Sequence, residues 1–192
     1  LWSRKLLHKC EIDKDEVPQL SRIIISIDPA VTSNTDSDMT GMIVAGIDVN
    51  GVAYVLEDHT DRYTPQQWAS KAIELYRKHM ADRIVAEKNQ GGDMVRHTLH
   101  TEDENVPVKL VHASRGKMAR AEPVSALYEQ GKVKHVRGLN DLEDQMVQWE
   151  PLGSTGSPDR LDAMVWAITD LSLNGYAKPQ LVLAYSNAKG LK

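Results

Sequence analysis

The 192-residue sequence contains a single cysteine, no phenylalanine and no long uninterrupted apolar run. The lone thiol, Cys10, excludes an internal disulfide framework and any cysteine-based zinc site. A membrane-spanning helix needs about 18 consecutive apolar residues, and the sequence has no such stretch. The first ten residues are too short and too basic for a secretory signal. These features favour a protein of a reducing compartment that does not enter a membrane.

Three familiar catalytic signatures are also missing. Without a Gly-x-x-x-x-Gly-Lys-Ser/Thr loop, the chain has no P-loop nucleotide site and no sign of an ATPase. Without a Gly-x-Ser-x-Gly element, an α/β-hydrolase is disfavoured. The seven histidines include no His-x-x-x-His pair, which disfavours a histidine-based zinc site.

The length fits about one domain of roughly 100–200 residues. Apolar residues make up 41% and charged residues 26% of the chain, which is typical of a soluble globular protein. Because the chain begins at Leu1 rather than methionine, we expect a fragment or a processed piece of a longer protein. Since phenylalanine is absent, we expect the tryptophans to supply core bulk, namely Trp2, Trp68, Trp149 and Trp166.

Charge is distributed unevenly along the chain, whose net charge is −4. Residues 109–137 carry seven basic and two acidic side chains, a net +5 that leaves −9 for the remainder. Such asymmetry predicts a surface that faces a polyanion beside an acidic site. A solvated charged face is the alternative, and the charge pattern alone does not decide between them.

The apolar pattern predicts a mixed α/β sheet. Three strands come first, at 22–28, 41–49 and 52–58, and Asn50-Gly51 predicts a hairpin between the last two. Thr64-Pro65 then begins a helix. Further strands are expected at 83–87, 107–112 and, as a short edge strand, 132–136; further helices are expected at 93–99, 117–130, 139–149 and 157–173. This order predicts a central sheet of five to six strands, the first three antiparallel, with helices on both faces.

Four carboxylates fall at the ends of these elements. Asp28 and Glu87 each close a strand, and adjacent parallel strands would bring them to one edge of the sheet. Asp159 and Asp162 lie three residues apart at the start of the last helix and so share a face. Converging carboxylates repel one another, and hard oxygen ligands select Mg²⁺ or Mn²⁺. Two such ions about 3.5–4 Å apart form a phosphoryl-transfer site.

Each carboxylate also has a structural explanation. Asp28 before Pro29 is a common turn residue, Glu87 could cap the following helix, and Asp159 could serve the helix dipole alone. Asp162 is harder to explain in this way, because it lies past the first turn among apolar neighbours. The three segments taken together therefore carry more information than any one of them.

Several segments resemble the nuclease domain of tailed-phage terminase large subunits. They are SIDPA (26–30), SDMTGMIVAGID (37–48), AEKNQGGDMV (86–95), RGKMARAEPVSALYEQGKVKHV (115–136), LEDQMVQW (142–149) and SPDRLDAMVWAITDL (157–171). The resemblance covers residues 20–173, and the segments follow the family's order.

The resemblance implies an RNase H-like, resolvase-type fold and a Mg²⁺- or Mn²⁺-dependent endonuclease, with two ions, that cuts concatemeric viral DNA. Asp28, Glu87 and Asp162 match the family's catalytic acids, and Asp159 matches a further metal-ligand position. Asp38 is a weaker candidate. From the basic segment we expect Arg115, Lys117 and Arg120 to lie near the DNA path. The glycines that open the helix at 93, Gly91 and Gly92, could approach a phosphate or simply form a tight turn.

The resemblance also implies a packaging context. We expect residues 1–20 to be an interdomain linker remnant, residues 21–174 the nuclease domain and residues 175–192 a C-terminal tail. The implied partners are double-stranded viral DNA, the terminase ATPase domain, the small terminase subunit and the portal protein. The implied location is the host-cell cytoplasm, at the procapsid portal. Two alternatives remain open, another RNase H-like enzyme such as a resolvase or transposase, and a catalytically silent docking module.

Overall fold

The computed structural model describes residues 1–30, 39–88, 93–150 and 157–173. Within these ranges the strands are β1 (Glu11–Ile12), β2 (Leu20–Asp28), β3 (Gly41–Asp48), β4 (Ala53–Asp58), β5 (Arg83–Glu87), β6 (Val108–Val111) and β7 (Val133–Val136). The α-helices are α1 (Arg4–Cys10), α2 (Pro65–Lys78), α3 (Asp93–Glu102), α4 (Lys117–Glu129), α5 (Asn140–Gln148) and α6 (Asp159–Ile168). Asp38, Gly91, Gly92 and the expected tail at 175–192 lie outside the described residues.

The strands form one mixed sheet in the order β1-β7-β4-β3-β2-β5-β6. The pairs β2/β3 and β3/β4 are antiparallel, as the sequence predicted, and the pairs β2/β5 and β5/β6 are parallel. The sheet has seven described strands rather than the expected five to six. The extra strand is β1, which pairs with β7 and is too short, at two residues, to carry a recognisable pattern. β7 is therefore an interior strand and not the expected edge.

The segment before β2 packs in the same core as the rest of the described chain. Ser3 caps α1, since its side chain accepts from the Leu6 backbone N–H. The side chains of Trp2, Leu7 and Cys10 are buried. These apolar residues are too few and too widely spaced in a polar segment to produce a periodic signal, so the sequence alone suggested a linker there.

Helices cover both faces of the sheet, as expected. On one face, the core contains side chains from α2 and α3 together with residues such as Ile25, Ile27 and Ile84. On the other face, α1, α4, α5 and α6 pack over residues such as Ile24, Ile43 and Val85. No described helix is long and apolar enough to cross a bilayer.

α2 begins after Thr64 and α4 ends before Gly131, as the sequence predicts. Thr64 and Gln67 form a capping box at the start of α2, with Pro65 at the first helical position. Gly131 follows α4 with a φ of 69°, a conformation that glycine adopts without strain. Pro123 lies inside α4. α4, which carries Lys117 and Arg120, packs on the same face of the sheet as α6.

Candidate metal centre

Asp28 and Glu87 lie side by side at the ends of two parallel strands. The last paired residues of β2 and β5 are Ile27 and Ala86, so the next residue of each strand reaches the same edge of the sheet. Side chains alternate along a strand, and Ile24 and Val85 face the α6 side. Asp28 and Glu87 are each an even number of residues from these positions and therefore face α6 too.

The beginning of α6 brings Asp159 and Asp162 to this edge. Asp159 is the first residue of α6 and follows Pro158 directly. The two carboxylate residues are only 5% and 4% exposed. Their burial places charged groups in the interior, which costs free energy unless cations or hydrogen-bond donors compensate.

Gly41 allows α6 to approach the sheet beside Asp28. It pairs with Asp28 across β2 and β3. A Cβ built at this position would lie 2.1 Å from the backbone oxygen of Asp159. A side chain here would therefore displace the start of α6, and glycine is required by close packing rather than by a turn.

The carboxylates are close enough to affect one another's protonation. Burial raises the pKa of Asp28 well above its usual value, and the negative charges of Asp162, Glu87 and Asp159 raise it further. Lys117 opposes this shift. The four carboxylates that the sequence singled out thus lie near one another, three of them buried and Asp28 partly buried, and we call them the carboxylate cluster.

Two cations from α4 lie within the carboxylate cluster. Lys117 Nζ is 2.5 Å from Asp162 Oδ2. Arg120 lies 3.6 Å from Asp162 Oδ1 and 3.7 Å from Glu87 Oε2. Burial raises the pKa of Asp162, although both cations act in the opposite direction. Of the three basic residues expected near DNA, Lys117 and Arg120 are thus at the carboxylates, whereas Arg115 is exposed just before α4.

Trp166 belongs to the site although the sequence suggested only a packing role. Its indole Nε1–H donates to Glu87 Oε2 at 2.7 Å. The guanidinium carbon of Arg120 lies 4.7 Å from the centroid of its ring. The spacing in the sequence could have indicated that Trp166 is at the site, because it follows Asp162 by four residues and so lies on the same face of α6.

Another acidic side chain next to the site is held by an internal ion pair. Arg160 NH1 lies 2.7 Å from Asp58 Oδ2, at the end of β4. This contact ties the first turn of α6 to the sheet, and no pattern in the sequence indicated it. Asp58 therefore pairs with Arg160, and we interpret it as a structural residue.

The donor set of the carboxylate cluster suits a hard divalent cation. Carboxylate oxygens are the ligands that Mg²⁺ and Mn²⁺ prefer. Among the described residues, no three His, Cys, Asp or Glu side chains already form a metal-binding group. The ammonium of Lys117 lies on an oxygen of Asp162, and it would have to give way to an ion there. Two buried nitrogens of Arg120, Nε and NH1, have no hydrogen-bond partner among the described atoms. The polar groups in the interior of the cluster are therefore not all paired with one another.

Fold and site together define a protein of the RNase H-like class, with acids at the ends of β2 and β5 and at the start of α6. A family model described as the terminase RNase H-like domain matches residues 25–171. The chain therefore belongs to the terminase RNase H-like domain family. A comparison with curated protein sequences gives no match.

Solved structures with the same fold are phage large terminases and the nuclease domains of such proteins. The nuclease domain of the large terminase subunit of bacterial virus Sf6 has a TM-score of 0.68 at 10% identity, over 86% of this chain and 96% of that one. The large terminase nuclease of thermophilic phage G20c with bound magnesium has a TM-score of 0.61 at 14% identity, over 77% and 80%. The ADP-bound large terminase of another thermophilic bacteriophage gives 0.67 at 13% identity, over 88% of this chain but only 43% of that one.

Proposed function

We propose that this chain is a metal-dependent endodeoxyribonuclease domain that hydrolyses phosphodiester bonds of double-stranded viral DNA during packaging. The observation that carries the proposal is that Asp28, Glu87, Asp159 and Asp162 lie together at one edge of the sheet, the last three of them buried. Like charges are costly to bury together, and such an arrangement is typical of functional sites. Membership in the terminase family and the magnesium-bound G20c nuclease support the assignment.

We assign Asp28, Glu87, Asp159 and Asp162 as the residues that hold Mg²⁺ or Mn²⁺, and we propose that they hold two ions. When bound, such ions supply a hydroxide nucleophile and stabilise the departing 3′ oxygen. Asp28, Glu87 and Asp162 are the residues on which cleavage should depend most. Their contribution is to fix oxygen ligands at the ends of rigid elements, so that little reorganisation is needed when DNA arrives.

We assign Lys117 and Arg120 a second role toward the DNA backbone, together with the exposed Arg115. In the described structure, Lys117 and Arg120 neutralise the carboxylates. With a cation held by the carboxylates, the ammonium of Lys117, whose side chain is 43% exposed, would be free to reach a phosphate. Arg120 is mostly buried, so its role is confined to groups that enter the site.

The wider context is also a proposal. This chain spans less than half the length of the ADP-bound large terminase that it matches. We infer that a packaging ATPase accompanies this domain, and that the small terminase subunit and the portal protein are its partners. Its place of action would then be the host-cell cytoplasm, at the procapsid portal. The chain itself, which has no P-loop motif, should not hydrolyse ATP.

Plasmid cleavage tests this proposal. The wild-type chain is incubated with Mg²⁺, Mn²⁺, Ca²⁺ or EDTA beside Asp28→Asn. The matched control is Asp48→Asn, because Asp48 is likewise an aspartate at the end of a strand but lies at the opposite end of β3 from the cluster. We expect cleavage with Mg²⁺ or Mn²⁺ by the wild type and the control, and none with Asp28→Asn or EDTA. Cleavage that survives excess chelator would refute the metal mechanism, and a folded chain inactive in every metal would favour a docking module.

A further inference from the structure

Trp166 contacts two members of the site with different parts of one side chain. The edge of the indole donates its N–H to Glu87 Oε2, and the face of the ring lies against the Arg120 guanidinium. The residue is only 7% exposed, so both contacts are sheltered from water. A buried indole N–H needs an acceptor in any protein, and here that acceptor is a member of the carboxylate cluster.

The hydrogen bond defines the orientation of the Glu87 carboxylate. Glu87 is the last residue of β5, and its side chain would otherwise rotate about its terminal bonds. A charge-assisted bond at 2.7 Å fixes Oε2 toward the indole. The other oxygen of the same carboxylate is thereby directed away from Trp166.

The ring contact holds Arg120 at a defined distance from Glu87. The Arg120 NH1 atom is 3.7 Å from Glu87 Oε2, which is too long for a hydrogen bond. That nitrogen and Nε have no hydrogen-bond partner among the described atoms. A shift of less than about 1 Å would turn this loose ion pair into a direct hydrogen bond between Arg120 and Glu87. Attraction to the aromatic face favours the present position of the guanidinium instead.

We propose that Trp166 is a positioning residue that keeps Glu87 available to a divalent cation. It orients one carboxylate oxygen through the N–H, and it keeps the Arg120 guanidinium from closing on the same carboxylate. This inference rests on the proposed function, since it assumes that Glu87 is a metal ligand. Residues that orient a ligand through a hydrogen bond affect metal affinity about 10–100-fold.

Calorimetric titration of the 192-residue chain with Mn²⁺ tests this role without any DNA. Trp166→Phe keeps an aromatic face for Arg120 but removes the donor, and we expect its affinity for Mn²⁺ to fall about tenfold. Trp149→Phe is the matched control, because Trp149 is equally buried, at 6%, and packs against Trp2 away from the cluster. It should bind Mn²⁺ like the wild type.

A double-mutant cycle separates a positioning role from a structural one. In the Glu87→Gln background, Trp166→Phe should cause no further loss of affinity, since its effect acts through Glu87. A Trp166→Phe variant that binds Mn²⁺ as tightly as the wild type would overturn the inference, as would equal losses in both backgrounds. If Trp166→Phe does not fold, Trp166→Met and Trp166→His make the same comparison, and only the histidine, which retains a ring donor, should preserve binding.

The two proposals fail differently in this experiment. If the wild-type chain binds no Mn²⁺, the proposed function fails and the role of Trp166 falls with it. If the wild type binds Mn²⁺ and the affinity is lost in Asp28→Asn but not in Trp166→Phe, the metal centre stands and only the positioning role is wrong.

Discussion

Two buried polar clusters lie on the same side of the sheet, and they are built on opposite principles. The carboxylate cluster gathers four groups of like charge. The second, which we call the Tyr–His–Glu chain, consists of Tyr128 from α4, His135 from β7 and Glu143 from α5. Both are largely shielded from water, although Asp28 of the carboxylate cluster is only partly buried. They differ in how well their polar groups are compensated.

The Tyr–His–Glu chain has partners for each of its side chains. The Tyr128 hydroxyl lies 2.5 Å from His135 Nε2, and His135 Nδ1 lies 3.2 Å from Glu143 Oε1. A neutral imidazole that carries its proton on Nδ1 donates to Glu143 and accepts from Tyr128. Burial raises the pKa of Tyr128 well above its usual value, so the hydroxyl keeps its proton as a donor. Such a chain joins α4, β7 and α5 and stabilises the fold.

In the carboxylate cluster, by contrast, the polar groups are not all paired. Burial and the neighbouring acids raise the pKa of Asp28, and Arg120 nearby has buried nitrogens without hydrogen-bond partners among the described atoms. Polar groups that are buried at a cost to stability are typical of functional sites, whereas satisfied ones are typical of the core. These two clusters therefore differ less in burial than in how completely their polar groups are paired.

The largest expected effect separates the two clusters by activity. Asp162→Ala should reduce DNA cleavage by about a hundredfold or more, because metal ions contribute several kcal/mol to such a transition state. Its melting temperature should stay the same or rise, since one of several clustered like charges is removed. The measurement is the cleavage rate at saturating Mg²⁺, with a thermal melt of the same sample. A large drop in melting temperature would instead make Asp162 a structural residue.

The second expected effect is the converse, a loss of stability without a loss of activity. Glu143→Ala should lower the free energy of unfolding by about 1–3 kcal/mol, because it leaves His135 Nδ1 buried without a partner. Cleavage per folded molecule should not change. Urea unfolding gives the stability, and Glu143→Gln, which retains an acceptor, is the conservative control. A loss of cleavage in folded Glu143→Ala would contradict the division between the two clusters.

The smallest expected effect concerns the cations of α4. Lys117→Ala should weaken DNA binding modestly and reduce the salt dependence of binding by about one unit of slope, as for one lost phosphate contact. The exposed Lys132 serves as a control outside the site, and Lys132→Ala should leave the slope unchanged if only the lysine at the cluster reaches DNA. Binding isotherms at several salt concentrations, in Ca²⁺, measure this. An unchanged slope for Lys117→Ala would remove this residue from the DNA path.

Elements with clear local signals could be predicted from the sequence. The apolar strand at 22–28, the Asn50-Gly51 hairpin and the Thr64-Pro65 helix start predicted β2, β3, β4 and α2 nearly to their ends. The convergence of Asp28 and Glu87 followed from their positions at the ends of neighbouring parallel strands. These predictions depend on periodicity and on turn chemistry, which are properties of short segments.

Contacts between distant segments could not be predicted in this way. The pairing of β1 with β7 and the Arg160–Asp58 ion pair join residues far apart in the sequence. The same holds for the bond from Trp166 to Glu87, since the helical spacing placed Trp166 on the right face of α6 but indicated no partner for its N–H. Arg120 was expected at DNA on charge alone, whereas its burial depends on how α4 lies over α6.

The most direct test of the carboxylate cluster is the thermal stability of the wild type and Asp28→Asn as a function of pH, with EDTA and with Mn²⁺. Because the pKa of Asp28 is raised in the folded chain, the native state holds the proton more tightly than the unfolded state. Without metal, wild-type stability should therefore fall as the pH rises from the usual Asp value of 3.8 through the raised pKa.

Asp28→Asn should lack this loss and melt at a higher temperature than the wild type at neutral pH in EDTA. Mn²⁺ should then raise the melting temperature of the wild type and leave that of Asp28→Asn nearly unchanged, since binding to the native state alone stabilises it. Equal melting temperatures of the two proteins in EDTA, together with no effect of Mn²⁺ on the wild type, would contradict the assignment of this cluster as a metal centre.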